Sequence, residues 1–414
     1  MFYKGVKLSP ILIVGTIISV GFLFGEIAKK LKLPKVTGYI FAGVLLNPSL
    51  FTFIPQSFVD HTGIVTDIAL CFITFSVGGT LLVKTMKKTG KSLLTITFFE
   101  AESAFFAITA GFICIMPFFF TNQTSLPWTL MIIPMALLLG SIGAPTDPSA
   151  TLAVQHEYNA KGEVSNAMME VAAFDDALGI INFSVAMVIA KVLVNGQKFS
   201  VYNSVCQPVI IIIGAIVTGV FFGFVFNAVT KFIKRETEGA LIVVIMASLL
   251  LCYGIANYLK FDELFAIMTF GAIVVNFHPK SYLIFRMLER YTDEMVFVVF
   301  FTLSGMFLNL KELPASLIYI VVFVILRVSG KIIGTRIGAN LGRASDKVKK
   351  FTAGGLVPQG GIVVGLALKA AQIPSFEHLA GIMMNVIIGS TIIFEFIGPI
   401  LAKKSLQWAG EIES

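Results

Sequence analysis

The sequence predicts an all-α polytopic membrane protein of about thirteen transmembrane helices, built as inverted six-helix repeats with two broken helices. Three observations carry that expectation. Of the 414 residues, 56% are hydrophobic and only 13% charged, against about 25% charged in ordinary soluble chains. The apolar residues gather into runs close to the ~20 that a bilayer requires. Two of those runs, the fifth and the twelfth, are interrupted by Gly and Pro at corresponding places. Such a composition excludes intrinsic disorder, a disulfide scaffold and a single soluble domain, because water does not tolerate runs of this kind exposed. The net charge of +7 has its origin in loop Lys and Arg residues, and it points to membrane orientation rather than to nucleic acid.

Taken in order, the first run covers 8–28 and follows Lys4 and Lys7, as a secretory signal would. It lacks a small-residue cleavage site and ends in Glu26 and a lysine cluster, so it is read as a spanning helix. Further spans are expected at 35–48, 62–83, 92–118, 128–155, 164–190, 207–230, 238–259, 262–278, 293–309, 314–335, 351–371 and 378–402. The second and ninth are short, and only the corner at 260–262 parts the eighth from the ninth. Most of the 31 Lys and Arg fall in loops after odd-numbered helices and in the C-terminal tail, leaving Lys4, Lys7, Lys191, Lys198, Lys260, Lys311 and Lys369 on the other side. Basic loops stay cytoplasmic, so the N-terminus is expected outside and the C-terminus inside. Cys71, Cys114, Cys206 and Cys252 lie far apart in apolar stretches and read as small buried hydrophobes.

Thirteen spans divide as six, one linker and six, and an odd linker makes the two sixes opposite in topology, as in secondary transporters. The break in the fifth helix is Gly143-Ala144-Pro145-Thr146-Asp147-Pro148, and that in the twelfth is Gly354-Gly355-Leu356-Val357-Pro358-Gln359-Gly360-Gly361. Each is the fifth helix of its six. An ordinary proline kink explains either one alone; the matched position favours two unwound segments whose freed backbone groups face protein or a wet cavity.

Ionisable residues at mid-membrane cost ~2.5 to 3.5 kcal/mol on insertion scales, which makes each a functional candidate. Asp175 and Asp176 lie near the centre of the sixth helix. Adjacent residues point about 100° apart, so the two serve different roles. Counter-charge comes from the eleventh helix, where Arg327 and Lys331 share a face with Thr335, and Gly330, Gly334 and Gly338 form a ridge that admits a close neighbour. A snorkelling Arg327 and a purely structural ion pair for Lys331 are the plainer alternatives. Asp147 sits between two prolines, where it caps the following half-helix or meets a cation. Glu100, Glu102, Glu170 and Glu395 are weaker candidates. Neither a phosphate-binding loop nor a cysteine or histidine cluster is present, and His61, His156, His278 and His378 fall at span ends or loops.

Together these residues resemble the bacterial members of the monovalent cation/proton antiporter superfamily, in the branch with two adjacent aspartates. The resemblance covers nearly the whole chain: Leu33-Pro34 with Gly38-Tyr39 and Gly43, Phe75 with Gly78-Gly79, Thr146-Asp147-Pro148, Asp175-Asp176, Gly330-Lys331 and Pro358-Gln359-Gly360-Gly361. It implies that the two broken helices cross, within a translocating core formed by 91–195 and 313–414. That core would slide against a dimer domain formed by 1–90 and 237–312, with 196–236 as the linker. It further implies that Asp176 is the cation- and proton-binding carboxylate, with Asp175 beside it at the sodium site and paired to Lys331, and that Thr146 and Asp147 lie at the crossing. Arg327, Glu395, Pro358 and Gln359 are expected in support.

The function so implied is exchange of sodium, lithium or potassium for protons across the cell membrane by a homodimer, without cofactor or enzymatic chemistry. The electroneutral branch has Asn where Asp175 stands, which favours electrogenic exchange with Lys331 as a proton carrier. Glutathione-gated potassium efflux members carry a large cytoplasmic nucleotide-binding domain, whereas this chain stops at Ser414, so that gating is not expected. A potassium/proton antiporter, an intramembrane aspartyl protease and a non-transporting membrane sensor are the alternatives.

Overall fold

The computed structural model describes residues 9–31, 34–50, 54–120, 128, 130–195, 206–232, 238–291 and 293–412, and among these the regular structure is helical throughout. The first half runs α1 (Pro10–Lys30), α2 (Lys35–Leu45), α3 (Gln56–Asp60), α4 (Gly63–Thr80), α5 (Val83–Phe120), α6 (Ile132–Ile142), α7 (Pro148–Glu157) and α8 (Glu163–Val194). After α9 (Gln207–Phe232) come α10 (Glu238–Tyr258), α11 (Glu263–Phe277), α12 (Ser281–Tyr291), α13 (Asp293–Met306), α14 (Leu313–Leu341), α15 (Asp346–Phe351), α16 (Gly361–Ala371) and α17 (Glu377–Ala409). A 3₁₀ turn, Thr352–Leu356, follows α15 directly.

Local chemistry sets several of the ends. The Ser9 side chain accepts from the Leu12 amide and Pro10 opens α1, where a missing N–H costs nothing. Asp262 caps α11 by accepting from Phe265 N at 2.7 Å. Gly90 takes φ 79°, a conformation open to glycine, and turns the chain between the basic start of α5 and its spanning part. Gly410, at φ 73°, closes α17 in the same left-handed region.

Among the described residues eight helices are long and apolar enough to cross a bilayer, and the pair 346–356 and 361–371, bent by 51°, makes a ninth if taken as one span. Lys35–Leu45, Ile132–Ile142, Glu263–Phe277 and Met295–Met306 are apolar but shorter. The fifth expected span is divided into α6 and α7, and the twelfth into the 3₁₀ turn and α16, as the glycines and prolines foretold.

Glycine contacts fix the packing. Along α14, Gly330, Gly334, Gly338 and Gly342 lie against the backbone of Ala104, Glu100, Ile96 and Ser92, so α14 and α5 run antiparallel at very close range. Gly43 of α2 meets Gly305 of α13, and Gly78 of α4 meets Gly271 of α11, each leaving no room for a Cβ. In a six-one-six division α2 corresponds to α11 and α4 to α13, so these two crossings are images of each other. The inverted repeat is thereby visible in side-chain-free contacts as well as in topology.

The apolar residues exposed on the bundle, such as Ile213, Val217 and Phe221 on α9 and Val243 and Leu251 on α10, form the surface that acyl chains cover. That surface corrects one expectation. Cys71 and Cys252 are buried, but Cys114 and Cys206 are exposed. An apolar residue in a membrane protein satisfies itself against lipid as well as against protein, so hydropathy alone does not place it inside.

The glycine ridge gives a direct test. Gly334→Leu would overlap the backbone of Phe99 and Glu100, and overpacking of this kind costs typically ~1–3 kcal/mol. A melting temperature several degrees lower is expected, whereas Gly15→Ala, which meets nothing within 4 Å, should leave it unchanged.

Candidate functional site

Unwinding a helix inside a bilayer leaves carbonyls without donors, and each must find one. The two unwound segments, 143–147 and 357–360, meet at mid-bundle, where Asp147 N donates to Pro358 O at 3.1 Å. Arg327 of α14 lies fully buried between them. Its Nε donates to Gly143 O at 2.9 Å, Nη1 to Val357 O at 2.5 Å, and Nη2 to Pro145 O at 2.7 Å and Pro358 O at 3.3 Å. One planar fork therefore satisfies carbonyls of both breaks, while the Phe394 ring backs the guanidinium at 4.6 Å. This is not a snorkelling residue. Thr151 Oγ1 adds a bond to Gly355 O at 2.6 Å, tying α7 to the 3₁₀ turn.

One turn further along α14, the Lys331 ammonium is also fully buried. It donates to Ala144 O and Thr146 Oγ1, both at 2.8 Å, lies 3.4 Å from Asp175 Oδ2, and makes a close ion pair with Glu100 Oε1. The Asp175–Lys331 pairing is thus present in the geometry, but a second carboxylate shares the lysine. Glu100 projects from α5 exactly where Gly334 lets α14 approach. Its role was not legible in the sequence, since nothing there says which face of the fourth helix meets the eleventh. Only its place in mid-span marked it as a candidate.

Asp175 is fixed on all sides. Thr146 donates to it twice, from N to Oδ1 at 3.3 Å and from Oγ1 to Oδ2 in a close contact. Asp176, next along α8, is different: it is half-buried, and its enclosed Oδ1 has no hydrogen-bond partner. Adjacent aspartates have therefore separated into one bound to the scaffold of charges and one with spare acceptor capacity. Asp147, half-buried, rests its side chain against Gly360, where a Cβ would collide with it, and lies within electrostatic reach of Asp176.

Of the supporting residues, Pro358 packs against Gly398 of α17. Gln359 is buried and donates from Nε2 to Thr391 Oγ1 at 2.9 Å and Ser390 Oγ at 3.3 Å. Glu395 is fully buried on α17. Thr335, expected to share the basic face, is buried there with no partner for its hydroxyl. Glu102 stands apart, accepting from Asn182 Nδ2 at 3.0 Å. His61, His278 and His378 bond elsewhere, to Ser57 O, Thr230 Oγ1 and Leu130 O, and the His156 side chain lies outside the described residues. Among the described residues no three His, Cys, Asp or Glu side chains gather as a metal cage. What this site offers instead is a few carboxylates among freed backbone groups, which suits a monovalent ion or a proton.

Residues 15–404 match the family model described as sodium/hydrogen exchanger, transmembrane. Na(+)/H(+) antiporter 1 of Methanocaldococcus jannaschii is 26% identical over 218 residues, which cover 52% of this chain and 46% of that protein. Cation/H(+) antiporter 15 of Arabidopsis thaliana is 24% identical over 331 residues, 76% of this chain and 38% of that one. The matched part spans less than half the length of either relative. The solved structure of the sodium proton antiporter MjNhaP1 from Methanocaldococcus jannaschii at pH 8 aligns with a TM-score of 0.75 at 22% identity, over 96% of this chain and 98% of that one, so the fold is shared.

Removing one partner of a buried ion pair typically costs ~3 to 5 kcal/mol, because the other is left uncompensated. Lys331→Ala should therefore lower the melting temperature sharply, with partial recovery on adding Asp175→Asn or Glu100→Gln. A double-mutant cycle measures the coupling, and additive losses would refute the network. Arg327→Lys keeps the charge but not the fork, and each buried carbonyl left without a donor costs ~1–3 kcal/mol. It should destabilise the protein by more than one such loss, as read by thermal unfolding.

Proposed function

Because the chain belongs to the sodium/hydrogen exchanger family, we propose that it is a secondary antiporter exchanging sodium, or another small alkali cation, for protons across the cell membrane. The observation that carries this is the division of labour on α8: Asp175 is held by Lys331 and Thr146, while Asp176 keeps an enclosed oxygen without a partner. A desolvated carboxylate is stable only when neutralised. Either a proton or a cation does so, and the two exclude each other. Exchange at Asp176 is then obligatory rather than leaky, because the bare carboxylate does not cross.

The same geometry weighs against an aspartyl protease, whose two carboxyls must face one reacting bond. Here one of them is committed to a lysine and a threonine. Movement of the bound ion would come from the core, residues 91–195 and 313–414, sliding as a unit along the dimer domain. Lys369 of α16 reaches Asp67 of α4 at 3.6 Å and Glu263 of α11 at 3.8 Å, a polar contact across the sliding boundary that would have to rearrange. The N-terminus would lie outside and the C-terminus in the cytoplasm, following the basic loops.

In reconstituted vesicles Asp176→Asn should abolish sodium-driven proton movement while the protein still unfolds cooperatively, since Asn keeps the size but not the titration. Unimpaired exchange in that variant would contradict the site. The presence of Asp175 favours electrogenic exchange, more than one proton per cation. A membrane potential imposed at equal pH and equal sodium should then drive protons through the wild-type protein, and a potential without effect would make the exchange electroneutral.

A further inference from the structure

Resting on that exchange reading, we infer that Glu395 is a second exchanging carboxyl, which holds a proton in the cation-free core and releases it when an alkali cation lodges among Glu395, Gln359 and Asp147.

Glu395 is fully buried, and neither of its carboxyl oxygens has a hydrogen-bond partner. Its direction is fixed by its helical neighbours. Thr391, one turn before it, receives the Gln359 amide at 2.9 Å, and Gly398, nearly one turn after it, abuts Pro358. The preceding residue, Phe394, lies beneath Arg327. A side chain between those contacts faces the second break.

Around it the polar atoms are of one kind. Gln359 Oε1 is enclosed and unpartnered as well, while Gln359 Nε2 is spent on Ser390 and Thr391. From the first break comes Asp147, whose side chain rests against Gly360, the residue after Gln359. From α14 comes Arg327, whose donors are committed to backbone carbonyls. Asp175 and Asp176 of α8 stand beyond Asp147; α6, the 3₁₀ turn and the part of α16 beside the break bring no ionisable group. Buried acceptors of Glu395 and Gln359 with no partner suit a proton or a dehydrated cation and nothing larger. The charge balances: one cation enters, one proton leaves to solvent, and the pocket's net charge is unchanged.

The test uses the full chain purified in detergent, titrated with sodium chloride in weak buffer. A pH indicator counts the protons released, and calorimetry gives the sodium affinity. Glu395→Gln should release one proton fewer per protein at saturating sodium, and Glu395→Asp should restore the count. Gln359→Leu, which leaves every carboxyl in place, should weaken sodium binding at least tenfold without changing the proton count. Equal proton counts in wild type and Glu395→Gln, or unaltered affinity in Gln359→Leu, would overturn the inference while leaving exchange at Asp176 intact. A wild-type protein that releases no proton with sodium, lithium or potassium would overturn the exchange reading itself.

Discussion

Everything at the centre of this protein depends on one requirement: two helices are unwound inside a bilayer, and their carbonyls must be bonded without water. Arg327 meets it by donating to Gly143, Pro145, Val357 and Pro358 from a single side chain. A guanidinium is suited to this because its donors lie in one plane and it stays charged when buried. With the breaks fastened to each other and to α14, the local dipoles and carboxylates are held in a fixed arrangement. On the proposed reading, a cation entering such a site would meet groups already in place.

The inverted repeat explains why the fastening is possible. Each half supplies one broken helix and one long helix beside it: α5 brings Glu100, and α14 brings Arg327, which binds both breaks, and Lys331. The glycines of α14 allow these two to approach until Lys331 reaches Glu100 across the interface. Away from the site, the same symmetry appears in the Gly43–Gly305 and Gly78–Gly271 crossings. Close backbone contact is the common device, used for rigidity in one place and for bringing charges together in the other.

Much of this was legible in the sequence because the bilayer enforces strict rules. Apolar length gave the helices, the paired Gly/Pro interruptions gave the breaks, and mid-span charge picked out Asp175, Asp176, Arg327 and Lys331. Less legible was whatever depends on which faces meet. Glu100 and Lys331 are 231 residues apart, and no local pattern couples them. The carbonyl partners of Arg327 belong to backbone far away in the chain, and the exposure of Cys114 and Cys206 depends on where lipid lies. The short amphipathic α12, Ser281–Tyr291, escaped a search for long apolar runs, because its Arg286 and Arg290 and its polar face keep it below the hydropathy of a span.

The central claim is that proton and cation compete for one desolvated carboxylate, held apart from its neighbour by the Lys331 network. Competition has a signature: each proton displaced costs the cation up to a tenfold loss of apparent affinity per pH unit on the acid side of the site's titration. Calorimetric titration of the purified protein with sodium across a pH series measures this directly. Competition requires the apparent dissociation constant to rise toward tenfold per pH unit as the medium is acidified below the site's titration; a sodium affinity that stays constant over the same series would contradict it.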